Sequence, residues 1–361
     1  MTVAISGIGT WLPDTVRTNA EWPSDFGASR GAGGLDRAFN DIPPSADPIS
    51  AAILERDLER EARDPFLGGV RRRVSDLSTT APLAEAAAAR AALADAGIAA
   101  SDVDLLMSYA FVPEALIPPT GCTVAHLIGA NRAHVIGVDT ACASAIAQIE
   151  IACAYLETGR ARVALLTQSH LLLRAMPMLH PACPGLGDGA TALVLTRSSH
   201  GLLVRATYGV THGQYASAVT WVRGNGEPGQ PPWYLAGGDF RLGSPMLHDQ
   251  VKLMMRETVS FGSLTVREAA ARAEISVDRI AVLAAVQPRG FIPGAIAERL
   301  GIDRERAVTT YEDIAHVGAC GPVFNLHRAC ERGLVKSGSV VALYGQGAGF
   351  TRSAALLEQR A

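Results

Sequence analysis

The stretch DTACASAIAQIEIACAYL, residues 139–156, joins a predicted strand, HVIGVD (134–139), to a helix that is apolar on almost every side. From residue 143 to residue 156 the apolar run is interrupted at only four positions, Ser144, Gln148, Glu150 and Tyr155. A helix without a continuous polar face has to be buried. The stretch therefore predicts a buried helix in an α/β protein, with Cys142 at the seam between strand and helix.

The composition is that of a compact globular protein. The chain has 361 residues, of which 48% are hydrophobic and 19% charged, so it is long enough for a large core or two packed domains. A formal net charge of −3 gives no electrostatic basis for binding nucleic acid or an anionic membrane. The start, MTVAISGIGTWLP, lacks the basic segment of a signal peptide, and no uncharged apolar run approaches the roughly 18 to 20 residues of a membrane helix.

The cysteines are scattered and form no CxxC pair: Cys122, Cys142, Cys153, Cys183, Cys320 and Cys330. This usage is typical of a reduced, cytoplasmic chain rather than of a disulfide scaffold. Cys122 with His126, or His316 with Cys320, has the i,i+4 spacing of two zinc ligands. Neither has a second pair at metal spacing, so we predict no metal site and no bound cofactor.

The chain repeats itself at long range, which predicts a duplicated domain. AALADAGIAASDVDLLMSYAF (91–111) has the same helix–turn–strand order as REAAARAEISVDRIAVLAAVQP (267–288), and ACAYLETGRARVALLTQS (152–169) is echoed by ACERGLVKSGSVVALYGQG (329–347). Helices that alternate with continuous apolar strands indicate parallel sheets covered on both faces. We therefore predict two related α/β halves, residues 1–198 and 201–361.

Two segments do not fit the repeat. Residues 24–70 are rich in Gly, Pro and Ser before a helical run, and residues 223–245 have a similar composition. Insertions of this kind more often cover a site than build a core. We predict that residues 24–70 form a cap or access element and that residues 223–245 form a second excursion of the same kind.

Cys142 and His316 are the residues of the two halves that best suit nucleophilic chemistry. A thiol at a helix N-terminus lies near the positive end of the helix dipole, which lowers its pKa. His316, in DIAHVGACGPVFNLHRAC (313–330), occupies the corresponding junction of the second half, where a neutral imidazole can take the thiol proton. The local pattern leaves the alternatives open, namely a buried structural cysteine and a core or capping histidine. His327, on the same predicted helix, is interpreted as structural.

Two glycine-rich turns flank the predicted strands of this region. GQGAGF (345–350) follows a strand but has no βαβ continuation, so backbone N–H groups directed at an oxyanion fit it better than a dinucleotide does. GLGDGATALVL (185–195) is a turn before a strand, and its Asp188 is predicted to be structural.

Several of these motifs, in the same order, resemble the thiolase superfamily, most closely its β-ketoacyl-acyl carrier protein synthase III branch. GIGTWLPDTVRTNAEW resembles the opening strand and Arg-Thr-Asn turn of that family, ACASA its nucleophile, GLGDGATALVL its FGDGA motif, and GQGAGFTRSAALL its C-terminal loop. The resemblance implies a five-layered αβαβα fold of two pseudo-symmetric halves and a homodimer. It also implies that Cys142 is the acylated nucleophile, with the backbone N–H groups of Cys142 and Ala348, beside Gly347, as the oxyanion hole.

The sequence departs from the family at other site positions. The His-Gln-Ala-Asn motif aligns with VQPR, so Val286 stands at the histidine position and only Gln287 is retained. The resemblance implies that both positions, Val286 and Gln287, lie in the substrate-binding site. His316 occupies the place of the family's second polar residue, in a run similar to the GHxxGAxG of thiolases and elongating synthases. The second thiolase cysteine is absent from residues 345–347.

These departures favour acyl transfer over condensation. Decarboxylative condensation needs donors that hold the thioester carbonyl as its enolate forms, and Val286 cannot donate. Transfer needs a thiolate, an oxyanion hole and one base, which Cys142, the loop at Ala348 and His316 supply. We therefore predict an acyltransferase that moves an acyl group from coenzyme A or an acyl carrier protein to an alcohol, amine or thiol in specialised-metabolite, polyketide-type biosynthesis.

Two alternatives remain open at this point. One is a carbon–carbon bond-forming synthase with a rearranged site, in which His180 or Gln287 compensates for Val286. The other is a non-catalytic subunit that pairs with a complete homologue. The basic triplet at residues 71–73 suits an acidic carrier protein or a phosphate, but a solvated run of charge is the default interpretation.

Overall fold

The computed structural model describes residues 2–26, 45–180, 182–216, 218–223, 235, 240–243 and 248–361. Residues 27–44 of the predicted cap, and most of the predicted excursion at 223–245, lie outside the described residues. The strands are β1 (Thr2–Trp11), β2 (Val16–Thr18), β3 (Arg71–Arg73), β4 (Leu105–Phe111), β5 (His134–Gly137), β6 (Val163–His170), β7 (Gly189–Ser198), β8 (Gly201–Thr211), β9 (Thr220–Arg223), β10 (Phe240–Gly243), β11 (Ile280–Ala285), β12 (Val340–Gln346) and β13 (Thr351–Arg360). The helices are α1 (Pro48–Glu61), α2 (Ala81–Ala96), α3 (Thr120–Ile128), α4 (Ser144–Glu157), α5 (His248–Arg272), α6 (Ile292–Leu300), α7 (Tyr311–Ile314) and α8 (Gly321–Glu331).

Nine of the described strands form one sheet, and the strand order on the two sides of its central pair matches except for β5, which has no counterpart. The order is β11-β12-β13-β8-β1-β7-β6-β4-β5, and the central antiparallel pair, β1 and β8, is joined at Ala4↔Leu203 and Ile5↔Leu202. Outward from β1 the neighbours are β7, antiparallel, then β6, antiparallel to β7, then β4, parallel to β6. Outward from β8 the strands β13, β12 and β11 follow with the same directions. The boundary of the two halves at residues 198–201 stays a prediction.

Three buried clusters define five layers and confirm the predicted αβαβα arrangement. The middle cluster holds the apolar faces of α4 and α8. Side chains from the inner faces of the first and the last parts of the sheet pack against these helices. The second cluster packs α2 and α3 on the outer face of the first part of the sheet, and the third packs α5 and α6 on the outer face of the last part. Strand β6 shows the alternation that feeds two layers, because Ala164 and Leu166 join the middle cluster while Leu165 joins an outer one.

Helix α4 is less completely covered than its sequence predicts. Ile146, Ile149 and Leu156 are fully buried in the middle cluster. One stripe of the helix, which includes Glu150 and Glu157, remains exposed. The prediction of a buried helix therefore holds for its apolar faces but not for this stripe, where both carboxylates keep their hydration.

Helix α1, in the predicted cap, is fixed to the second half of the chain. Its ion pairs are Asp47–Arg299, Arg56–Glu298, Asp57–Arg304 and Glu61–Arg289. The Asp57 side chain is 2% exposed, and Arg289 is nearly buried, so these contacts are shielded from solvent. The helix therefore docks beside the VQPR segment of the second half, and the role of residues 24–70 as a cap stays a prediction.

The basic triplet at residues 71–73 is not a solvated run, which corrects the default interpretation. Arg72 is completely buried, its Nε donates to the Pro184 carbonyl at 2.6 Å, and its guanidinium lies 5.0 Å from the Trp22 ring centroid and 5.5 Å from that of Phe66. Burial lowers the pKa of Arg72 to about 10. The middle arginine of the triplet therefore stabilises the fold, and only its neighbours lie toward solvent.

Within the described ranges, no helix combines the length and the apolar character that crossing a membrane requires.

Candidate active site

Cys142 and His316 meet although 174 positions separate them in the chain. The Cys142 Sγ lies 3.6 Å from the His316 Nε2, within the range of a sulfur hydrogen bond. Cys142 is partly buried in the turn that precedes α4, and Ala141 before it has a left-handed backbone with φ of 51°. The structure thus brings together the two side chains that the sequence predicts as nucleophile and base.

Short-range hydrogen bonds hold the turn that carries Cys142. The Asp139 carboxylate accepts the Ala141 N–H at 2.8 Å. The Ser144 hydroxyl accepts the Thr140 N–H at 2.9 Å and donates to the Ala141 carbonyl at 2.7 Å. These bonds offset the cost of the strained φ at Ala141 and direct the thiol into the site.

The GLGDGA turn holds the backbone of His316 from the other side. The His316 N–H donates to the Gly185 carbonyl at 3.0 Å, and the Gly187 N–H donates to the His316 carbonyl at 2.9 Å. A side chain at Gly187 would overlap the Ile314 carbonyl oxygen, so only glycine permits this approach. The GLGDGA turn (185–190) therefore fixes the backbone position of His316, the candidate base.

The resting thiol is neutral, which corrects the expectation of a lowered pKa. Burial, and then the nearby Asp139 carboxylate, raise the pKa of Cys142 to about 12. A backbone hydrogen bond at Cys142 lowers this pKa, but by less than burial and Asp139 raise it. A thiolate therefore forms only when another group takes the proton.

His316 is available as that proton acceptor. Burial, and then the neighbouring His170, lower the pKa of His316 to about 3, so its imidazole is neutral at physiological pH. Among the described residues, its buried Nδ1 has no hydrogen-bond partner of normal geometry, so no carboxylate completes a triad there. The pair is a thiol and a neutral imidazole rather than an ion pair.

The C-terminal glycine-rich loop packs directly on the turn that carries Cys142. A Cβ atom at Gly347 would overlap the Thr140 carbonyl oxygen and lie 3.1 Å from the Cys142 nitrogen. The turn that begins at Ala348 contacts the Cys142 turn, and Ala348 itself is exposed. Gly347 and Ala348 therefore lie against the turn that carries Cys142, and their role in an oxyanion hole stays a prediction.

Gln287 does not hold substrate, contrary to our expectation. It is fully buried; its Nε2 donates to the Thr310 hydroxyl and the Ala315 carbonyl at 3.1 and 2.9 Å, and its Oε1 accepts from Thr309 and Asn325 at 2.9 and 3.0 Å. An amide with its donors and acceptors engaged has no capacity left for a ligand. Gln287 instead positions the residue before His316.

Val286 is buried in the outer cluster of the second half, against which Cys142 packs. Its N–H donates to the Tyr344 carbonyl at 2.8 Å, which continues the pairing of β11 with β12. Val286 therefore belongs to the cluster against which Cys142 packs, and its side chain presents only methyl groups.

The structure adds His170, which our sequence analysis does not identify. It is the last residue of β6, is 3% exposed, stacks on Phe111 at 5.2 Å between ring centroids, and lies 5.8 Å from the His316 ring centroid. Its Nδ1 lies 2.8 Å from the Gly187 carbonyl oxygen. The available signal was a histidine at the carboxyl end of a predicted strand, the sheet edge where α/β proteins bind ligands.

The other candidate residues have structural or local roles. Asp188 accepts the N–H groups of Ser75 and Leu173, both at 2.9 Å, which agrees with its predicted structural role. The His180 Nδ1 accepts the Ala182 N–H within its own turn at 3.1 Å. Cys320 donates to the Gln168 carbonyl at 3.4 Å. In the part of the chain that the structure describes, no three His, Cys, Asp or Glu side chains are grouped as metal ligands.

Glu85, a fully buried carboxyl group, lies next to the strand end that carries His170. It accepts the Thr167 hydroxyl at 2.5 Å and the Ser169 hydroxyl at 2.8 Å, and burial raises its pKa to about 8. Because the pKa of Glu85 in the folded chain exceeds its value of about 4.5 in the unfolded chain, this group's contribution to the free energy of unfolding is fully present below pH 4.5. The contribution is lost as the pH rises through about 8.

The variant Glu85→Gln is therefore expected to be more stable than the natural chain near pH 8, with a smaller difference near pH 5. Each pKa unit is worth about 1.4 kcal/mol, so the gain is on the order of a few kcal/mol. Urea unfolding at both pH values measures it, with Glu150→Gln on the exposed stripe of α4 as control. An equal effect at both pH values contradicts the prediction.

Comparison with known proteins agrees with this geometry. The family described as 3-oxoacyl-[acyl-carrier-protein (ACP)] synthase III matches residues 136–210, and its C-terminal family matches residues 270–359. A β-ketoacyl-[acyl-carrier-protein] synthase III from Bordetella petrii is 27% identical over 349 residues, which cover 96% of this chain and 95% of that protein.

Two solved structures share the fold over nearly the whole chain. The priming β-ketosynthase of the R1128 polyketide pathway has a TM-score of 0.78 and 20% identity, with 99% of this chain and 96% of that one covered. Xanthomonas campestris OleA, solved as a cysteine-to-serine variant with bound lauric acid and lauroyl-CoA, has a TM-score of 0.73 and 19% identity, with 99% of each chain covered. The chain is a member of the thiolase superfamily. Within it, the chain is a β-ketoacyl synthase III-like enzyme.

Proposed function

We propose that this enzyme is an acyltransferase that carries the acyl group on Cys142. The observation that supports it is the contact between the Cys142 thiol and the neutral imidazole of His316, in a chain whose residue 286 is a valine without a side-chain donor. The tautomer of His170 adds to this argument. Because its Nδ1 faces a carbonyl, that nitrogen carries the hydrogen and the Nε2 carries a lone pair, so neutral His170 cannot donate to an enolate in place of the missing histidine.

The first half-reaction forms the acyl-enzyme. As the Cys142 sulfur attacks the thioester carbonyl, its proton passes to the His316 Nε2 and the new carbon–sulfur bond forms. The backbone N–H groups of Cys142 and Ala348 stabilise the oxyanion. The old carbon–sulfur bond then breaks, and the leaving thiolate takes the proton from His316.

The second half-reaction releases the acyl group to the acceptor. His316 takes the proton of the attacking alcohol, amine or thiol, the acyl bond to the acceptor forms, and the bond to the Cys142 sulfur breaks. The departing thiolate recovers the proton from His316. Neither half-reaction needs a metal or redox group, and the enzyme returns to its starting state.

The donor is a thioester of coenzyme A or of an acyl carrier protein, and the pathway is of the polyketide type. The names of the relatives support this proposal, since they include acyl-carrier-protein synthases, a polyketide priming enzyme and a structure with bound lauroyl-CoA.

Incubation with a panel of acyl-CoA thioesters is expected to add one acyl group to the chain, because the thiol and its base are in contact. Intact-protein mass spectrometry measures the gain and identifies the preferred acyl group. Cys142→Ala is the matched control and should show no gain. An unchanged mass with every donor, or an equal gain in the control, would overturn the proposed function.

Condensation is the second candidate, because the named relatives include synthases. The same incubation distinguishes it when malonyl-CoA is added as the second substrate. Release of carbon dioxide together with loss of the acyl-enzyme would establish a condensing enzyme. Discharge of the acyl-enzyme by an alcohol or amine, without carbon dioxide, supports transfer. Self-acylation by the isolated chain would exclude the non-catalytic subunit.

We also propose a homodimer formed through β5. This strand ends the order of the main sheet, so one edge of it has no neighbour within that sheet. Pro119 packs on Gly137 of β5, and the nearby Leu116 and Ile117 are 77% and 83% exposed. Light scattering should give twice the chain mass, and the mass of a single chain would contradict the proposal.

A further inference from the structure

His170 is a second imidazole of the site that the mechanism above leaves unused. Strand β6 pairs with β4 in parallel, and the register places His170 opposite Phe111 at the carboxyl ends of both strands. Phe111 covers one face of the imidazole, with 11° between the ring planes, while the His316 ring lies at 62° to it. Its position is therefore fixed beside the candidate base rather than on a free surface.

Hydrogen bonding determines which nitrogen of His170 is available. The Gly187 carbonyl can only accept, so Nδ1 donates to it and, in the neutral ring, Nε2 keeps its lone pair. Within the described ranges no residue is hydrogen-bonded to this Nε2. Burial lowers the pKa of His170 to about 4, which agrees with a neutral ring.

The free edge of the ring faces the segment that carries His316. A Cβ atom at Gly318 would lie 2.5 Å from Cδ2 and 3.4 Å from Nε2 of His170, so the absence of a side chain at position 318 makes room for this edge. Gly318 follows His316 by two residues. The backbone of Gly187 links the two histidines, since it receives the His170 hydrogen bond and donates to the His316 carbonyl.

We infer that His170 binds the acyl acceptor, through a hydrogen bond from an O–H or N–H group of the acceptor to the His170 Nε2. His316 takes the proton of the attacking atom, and His170 holds a second polar hydrogen on that atom or beside it. The acceptor class that satisfies both imidazoles is a primary amine, or an alcohol with a neighbouring hydroxyl or amino group. This inference rests on the proposed acyl transfer and adds the chemical class of its acceptor.

Two variants separate the two nitrogens of His170. In His170→Asn the side-chain N–H can still donate to the Gly187 carbonyl, but no acceptor atom occupies the position of Nε2. In His170→Gln the longer side chain reaches toward the place of Nε2 and can restore an acceptor. Thermal unfolding and the far-ultraviolet circular dichroism of both variants show whether they fold like the natural chain.

The experiment measures the two half-reactions separately, with hydroxylamine as the small acceptor. Formation of the Cys142 acyl-enzyme should change less than about twofold in His170→Asn, while its discharge by hydroxylamine slows about tenfold, as expected for loss of one hydrogen bond. His170→Gln should recover part of the discharge rate. The Michaelis constant for hydroxylamine should rise in His170→Asn.

The outcomes distinguish this inference from the proposed function. If the natural enzyme forms its acyl-enzyme and discharges it, but His170→Asn does so at the same rate, the role of His170 is overturned and acyl transfer stands. An equal loss of rate in both half-reactions would assign a structural role to His170 and also overturn the inference. A loss of rate in both variants, together with a lowered unfolding temperature, would do the same. If hydroxylamine does not discharge the natural acyl-enzyme, both proposals fail.

Discussion

Replacement of His316 by alanine is expected to slow formation of the acyl-enzyme by about 10²- to 10⁴-fold, the usual contribution of a positioned general base. The reason is that the resting thiol, with a pKa of about 12, cannot ionise near neutral pH without an acceptor, and the His316 Nε2 lies 3.6 Å from its sulfur. Quenched-flow mass spectrometry with the preferred acyl-CoA measures the single-turnover rate.

The pH dependence gives this experiment a second, independent readout. With a pKa of about 3, His316 is already unprotonated above pH 5, so the natural enzyme should acylate at a nearly constant rate between pH 5 and 9. The alanine variant depends on the free thiolate, and its rate should rise about tenfold per pH unit over the same range. His327→Ala is the matched control, because His327 lies on α8 and faces Glu331 at 3.7 Å. Near-normal turnover in the His316 variant would exclude His316 as the base.

Gly347→Ala is expected to lower kcat by about 10²- to 10³-fold, the loss that follows removal of one oxyanion donor. The added methyl group would overlap the Thr140 carbonyl oxygen and press on the Cys142 nitrogen, and both are backbone atoms that cannot rotate away. The loop must therefore move off the Cys142 turn and carry the Ala348 N–H with it.

Steady-state kinetics with the preferred thioester measures this effect, and Gly213→Ala provides the control. A Cβ atom at Gly213 meets nothing within 4 Å, so the same chemical change there should leave kcat unaltered. A Gly347→Ala enzyme with normal kcat would show that the loop does not supply the oxyanion donor.

The fold and the central pair of the site could be predicted because they depend on local patterns. Alternating apolar helices and strands encode the layers, and glycine motifs mark the turns that approach Cys142 and His316 closely. These signals lie within a few residues of each other in the chain. They led to two related α/β halves and to the two side chains that the structure brings into contact, while the five layers were implied by the resemblance to the thiolase superfamily.

The remaining features depend on burial, which the sequence does not display. Cys142 stands at a helix start and looks activated, yet burial raises the pKa of its thiol. Gln287 looks like a retained motif residue, but Thr309, Thr310 and Asn325 surround it and engage its amide. His170 carries no motif at all, and only the register of β4 with β6 places it beside the site.

The 174 positions between Cys142 and His316 also give the site an order of assembly. At the usual rate of translation, of about 5 to 20 residues per second, the thiol is synthesised roughly 10 to 35 seconds before the histidine that receives its proton. Throughout that interval the growing polypeptide has its nucleophile but not the base. On the proposed mechanism, fast self-acylation therefore requires a folded chain that contains both residues, and the acylated fraction of a newly made population reports how many molecules have brought Cys142 and His316 together.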